Sequence, residues 1–117
     1  MIDWSRIKEL EDDMGAEDLG DVVAIFLDEM EEAIQDLVEN APGDAQEWAN
    51  RMHFLKGSAY NLGFEAFGTF CAGGETAARQ GDISALSASD VQTRYELSKT
   101  AFLADFSTNS TAVLQVA

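Results

Sequence analysis

The chain of 117 residues is 46% hydrophobic and sets 22 Asp and Glu against 7 Lys and Arg, a formal net charge of −15. Its 2 Trp, 2 Tyr and 7 Phe supply enough apolar bulk for one domain with its own core, which excludes a disordered polyelectrolyte. So negative a chain also excludes nucleic acid and anionic membranes as partners, because both repel it.

A single proline, Pro42, and scarce β-branched alternation favour an all-helical protein. Asp3 is placed to cap a short first helix, Trp4 to about Met14, with Trp4, Ile7, Leu10 and Met14 at helical spacing and Gly15 as its stop. A longer helix is expected from about Glu17 to Asn40, where Val23, Phe26, Leu27, Met30, Ile34 and Leu37 form one apolar stripe with acids opposite. The turn "NAPGD", Asn40 to Asp44, separates it from a third helix over about Asp44 to Leu62, closed by Gly63. A fourth helix starts near Phe64 and stops at Gly81, with Phe64, Phe67 and Phe70 read as core. Gly68, Gly73 and Gly74 inside it point to close helix contact. After a Ser/Ala-rich connector, a fifth helix is expected from about Ala88 to Phe106, with Val91, Tyr95, Phe102 and Phe106 inward. The residues from about 107 read as a frayed end or a short extension. The expected fold is all-α, a single domain forming an antiparallel up-down four-helix bundle with a short N-terminal helix.

The charge is uneven: residues 1–47 hold 16 acids and 2 bases, whereas residues 48–117 hold 6 acids and 5 bases. The carboxylates read most simply as solvated helix surface. Cys71 is the only cysteine, so no intramolecular disulfide can form and a reducing compartment fits. Acids at positions 3, 9, 11, 12 and 13 argue against a signal peptide, and no apolar run approaches a membrane span. A cytoplasmic protein, with nothing demanding more than a monomer, is the expectation.

The stretch "RMHFLKGSAYNLGF", Arg51 to Phe64, holds the only histidine. At about 100° per residue, Trp48, Met52, Leu55, Ala59 and Leu62 make the core stripe of the third helix. His53 falls off that stripe, with Gln46, Ala49, Lys56, Gly57 and Tyr60 on the outer face. No second histidine and no adjacent thiol complete a metal site, and no nucleophile elbow or partner acid is signalled locally. A neutral imidazole nitrogen can attack phosphorus, and an ammonium one turn away would draw the incoming phosphoryl oxygens. Gly57 would let another protein approach closely. A solvated surface histidine beside an ordinary lysine satisfies the same spacing, and spacing alone does not separate the two. Cys71 reads as a small core residue.

The string "HFLKGSAYNLGFEAFGTFCAGGE", His53 to Glu75, resembles the signature of histidine-containing phosphotransfer domains. That signature is His, two residues, Lys-Gly-Ser/Ala, an apolar residue with Gly, then Cys and Glu on the next helix. His53, Lys56, Gly57, Ser58, Leu62, Gly63, Cys71 and Glu75 match it. The resemblance implies a phosphorelay carrier without kinase activity. His53 would take a phosphoryl group from a receiver aspartyl phosphate, or from a sensor or hybrid histidine kinase, and pass it to a receiver aspartate. Lys56 would stabilise the phosphoryl charge and Gly57 would admit the receiver's loops. No cofactor or metal belongs to this chain, since the receiver brings Mg²⁺. Receiver docking would use Tyr60, Ala49, Ser58, Asn61 and Phe64, with Trp4, Ile7 and Ile25 adding apolar surface from the first two helices. Alternatives are the phosphorylatable amino-terminal domain of a chemotaxis-type histidine kinase, or a helical interaction module with an inert His53. Two departures stand out: Tyr60, where a small residue is common, and Gly74, where a leucine usually precedes the glutamate, which should loosen the fourth helix.

Overall fold

Side-chain capping marks where three of the five helices begin. In the computed structural model, which describes residues 1–115, the elements are α1 (Trp4–Met14), α2 (Ala16–Glu39), α3 (Ala45–Asn61), α4 (Glu65–Arg79) and α5 (Ala88–Asn109), with no strand among the described residues. The Asp3 carboxylate accepts from the Ser5 N–H, the Asp44 carboxylate from the Glu47 N–H at 2.8 Å, and the Ser87 hydroxyl from the Asp90 N–H at 3.0 Å. Each side chain satisfies a first-turn donor that has no partner within its helix. Asn40, Asp44, Leu62 and Phe64, expected inside helices, are instead the flanking caps.

The helices share one apolar core. Phe102 stacks on Trp4 with centroids 5.3 Å apart and lies 5.2 Å from both Phe64 and Phe106. Such ring pairs add roughly 0.5–1.5 kcal/mol each beyond the area they bury. Phe26 and Phe70, expected as core, are only partly buried at its edge. Between α2 and α5, the Glu31 carboxylate accepts from the Tyr95 hydroxyl and the Lys99 ammonium, each at 2.6 Å, so a polar pair joins the two helices without an unpaired group.

The C-terminal segment is ordered further than its sequence suggests. α5 continues past Phe106 to Asn109, and Ser110 and Thr111 then donate to the Glu11 carboxylate at the end of α1. Ala112 and Leu114 pack against the core, while the Val113 backbone rests on Gly20 of α2. Residues 107–109 thus belong to α5 and residues 110–115 run as a short extension beside α1 and α2; the last two residues of that tail lie outside the described chain.

α3 and α4 make the most extensive contact in the molecule. Their turn depends on Gly63, which has φ +79° and whose carbonyl accepts the Asp3 N–H at 2.7 Å. A side chain there would meet the Asp3 carbonyl at 2.6 Å, so the position excludes one on both counts. Arg6 Nε also donates to the Asn61 carbonyl at 3.1 Å, so the N-terminal segment clamps the turn. That clamp fixes the antiparallel register: Tyr60 lies over Gly68, Met52 against Gly74 and His53 opposite Glu75.

Candidate functional site

His53 projects from the middle of α3 with its side chain 64% exposed, as the helical spacing predicts. The register of α4 brings Glu75 to it, and Nδ1 lies 2.9 Å from Glu75 Oε2. That carboxylate is itself buried, and three cationic or polar-nitrogen side chains converge on it. Lys56 Nζ is 2.5 Å from Oε1, while Arg79 donates to Oε2 through Nε at 3.1 Å and Nη2 at 2.6 Å. The hydrogen bond from Lys56, then that from Arg79, pull the Glu75 pKa from 4.5 to about 2 against the opposing effect of burial.

An ionised carboxylate can only accept hydrogen bonds, so Nδ1 of His53 is the donor and carries the ring proton. In the neutral ring Nε2 is then the nitrogen with the free lone pair, on the exposed side chain. Glu75 thus fixes the tautomer and the ring orientation together. Lys56 and Arg79 more than offset its charge, making a locally cationic spot on a strongly acidic chain.

Lys56 is not the freely solvated base its outer-face position suggested: its side chain is 29% exposed and its ammonium is held by Glu75. Gly57 does face open space, and no atom lies within 4 Å of where its side chain would begin. Tyr60, 43% exposed, lays its ring across Gly68, and its hydroxyl lies 3.3 Å from that of Thr69. A methyl group at position 68 would sit 2.5 Å from Tyr60 Cε1, so the unexpected aromatic has its matching gap on the facing helix. Gly74 does not loosen α4 as expected. The helix is continuous there, and Met52 and Leu86 fill the space beside it.

Several expected docking residues are placed elsewhere. Ala49, Ile7 and Phe64 are at most 1% exposed and Ser58 is 7% exposed, so all four belong to the interior. Ala49 turns inward because α3 is packed by both α2 and α4, which buries a wider arc than one stripe. Ile7 faces the core from α1, and Phe64 stacks among Tyr95 and Phe102. Trp4 is partly exposed but committed to Phe102. Ile25, 55% exposed, lines a groove of α2 and the C-terminal segment that shares no residue with the His53 cluster. Asn61 is exposed at the end of α3.

Three residues escaped the sequence reading. Glu75 was matched only as part of a signature, with no role, and Arg79 was not singled out, although its i+4 spacing from Glu75 signals a pair. Phe54, beside His53 and 45% exposed, borders a shallow groove with Ala33, Asp36 and Arg51. Its position off the α3 stripe was the available signal. Cys71 is fully buried, and burial pushes its thiol up to about 12, as expected of an inert core residue.

The Hpt domain family model matches residues 21–101, from the first turns of α2 to the second half of α5. The chain belongs to the Hpt domain family. No curated protein and no solved structure matches it. An Hpt domain is a histidine phosphotransfer module of a phosphorelay, and such domains generally interact with receiver domains and histidine kinases. The all-helical fold agrees with that membership, and α1 lies outside the matched span. Among the described residues of this Hpt domain, no helix is long and apolar enough to cross a membrane.

Proposed function

We propose that His53 is the phosphoryl-carrying residue, and that the chain shuttles the group between aspartates of receiver domains, or from a histidine kinase to a receiver. The observation that carries this reading is the Nδ1 contact with Glu75 on an exposed ring, which leaves Nε2 as an oriented nucleophile. In the accepting step the Nε2 lone pair attacks phosphorus in line, the bond from phosphorus to the aspartyl oxygen breaks, and the aspartate leaves as its carboxylate. In the donating step a receiver carboxylate oxygen attacks, the N–P bond breaks, and its electron pair returns to Nε2. Nδ1 keeps its proton in both directions, so no proton transfer is required. Lys56, close to His53 and anchored on Glu75, supplies positive potential for the phosphoryl oxygens.

Gly57 supports this reading because the fold itself makes no use of the missing side chain. A gap on the His53 face suits the approach of receiver loops, with Tyr60 and Phe54 as exposed aromatics beside it. Mg²⁺ belongs to the receiver in this scheme, and the chain contributes neither a metal nor kinase activity. The four long helices are assigned as an up-down antiparallel bundle, a reading supported by the α3–α4 register and the short connections. A reducing, cytoplasmic setting is in keeping with the lone buried thiol. The test is incubation with a phosphorylated receiver and Mg²⁺. Acid-labile label should appear on the wild type and be absent from His53→Gln, whereas label that persists on the variant would assign the chemistry elsewhere. A wild type that no donor labels would favour an inert interaction module.

A further inference from the structure

Arg79 places both of its contacts on the same carboxylate oxygen that holds His53, at 3.1 Å through Nε and 2.6 Å through Nη2, while Lys56 occupies the other oxygen. We propose that Arg79 is a positioning residue that lengthens the lifetime of phosphorylated His53 by competing with the imidazole for Glu75 Oε2. The inference rests on His53 being the carrier.

The lability of the phosphorylated ring depends on its leaving group. When water attacks a phosphoryl group on Nε2, the N–P bond breaks, the electron pair goes to Nε2, and the water protons pass to phosphate and solvent. If Nδ1 still bears its proton, the ring departs as neutral imidazole; if not, it must depart as an imidazolate, a far poorer leaving group. The hold of Glu75 on the Nδ1 proton therefore sets the pH range over which the phosphohistidine is labile. The charged groups that bear on it are Lys56 from α3 and Glu75 and Arg79 from α4; among the described residues, His53, Lys56 and Arg79 are those within ion-pair distance of Glu75. Two hydrogen bonds and a positive charge from Arg79 weaken the pull of Oε2 on that proton. Arg79 is 52% exposed and can keep its other nitrogens solvated, so its contribution to folding is small while its contact with Oε2 is direct.

The full chain can be phosphorylated chemically with potassium phosphoramidate, without any receiver, and phosphate loss followed by ³¹P NMR across pH. For Arg79→Gln the hydrolysis profile should move to higher pH, shortening the half-life on its alkaline side by about three- to tenfold, the equivalent of a shift of about half to one pH unit. Arg79→Lys, which keeps the charge but cannot fork onto one oxygen, should fall between the two. In a Glu75→Gln background, Arg79→Gln should add no further change. A profile superimposable on wild type, or a full Arg79 effect in the absence of the Glu75 carboxylate, overturns the proposal. Because the labelling is chemical, failure of Arg79 to matter is distinct from failure of the carrier reading, which would show as transfer from a receiver that does not depend on His53.

Discussion

At Glu75, a residue 6% exposed, His53, Lys56 and Arg79 all meet one carboxylate. Its pKa is depressed from 4.5 to about 2, so its ionised form stabilises the fold fully above about pH 4.5, and that contribution disappears as pH falls through about 2. Glu75→Gln cannot show this dependence. Thermal melts at descending pH should therefore find wild type above the variant at neutrality, with the gap closing between pH 4.5 and about 2. A constant gap would mean that the ion pairs contribute nothing to folding. The same variant should slow phosphotransfer, because the ring loses the carboxylate that fixes its tautomer and orientation. Stopped-flow transfer to a cognate receiver measures it. Lys56→Ala should slow transfer and, because its ammonium is engaged by Glu75 rather than free, also lower Tm by a few degrees. His53, Lys56 and Gly57 were legible as one group from helical spacing alone. The role of Glu75 was not, because 22 residues separate it from His53 and only the register of the facing helix joins them.

Among the elements, α3 and α4 act as one unit held by the turn at Gly63. Gly63→Ala imposes φ +79° on a side chain that also meets the Asp3 carbonyl at 2.6 Å. It should destabilise by about 1–3 kcal/mol in urea melts, and because the turn sets the α3–α4 register, transfer should weaken with it. Gly57 behaves in the opposite way. Its environment is open, so Gly57→Ala should stabilise α3 by roughly 1 kcal/mol, the helix-propensity difference. A larger replacement such as Gly57→Gln should remain folded yet lose receiver transfer. Unchanged transfer by the Gln variant would remove the close-approach argument. Helix existence and centre were readable from apolar spacing at all five elements; the bounds of α2, α3 and α4 moved by one residue because a capping residue belongs to both helix and turn, while α5 ran three residues past its last inward aromatic, Phe106. Ala49 and Ser58 were misplaced because a helix with two packed neighbours buries more than the stripe its strongest residues mark out.

Across the whole molecule, charge is the unbalanced quantity. α2 carries nine acids and no base, within a chain of net charge −15. Such self-repulsion opposes the folded state, and salt screens it: raising ionic strength from about 0.01 to about 0.15 M shortens the Debye length from roughly 30 to 8 Å. Calorimetry at neutral pH should accordingly show Tm rising over that range. A falling Tm would mean that the surface ion pairs, such as Asp36 with Arg51 at 2.6 Å, outweigh the net repulsion.

By itself the sequence determined the helical class, the apolar stripes, the family signature and the exposed histidine, because each depends on residues within a few turns of one another. The tertiary structure decided which side chains form the site and which form the core. It withdrew Ala49 and Ser58 from the surface, kept Ile7 and Phe64 in the core that their apolar spacing marks rather than at a docking face, seated Tyr60 on Gly68, and brought Glu75 and Arg79 to His53. Those outcomes depend on how helices distant in sequence are set against each other, and here that setting comes from the clamped turn at Gly63.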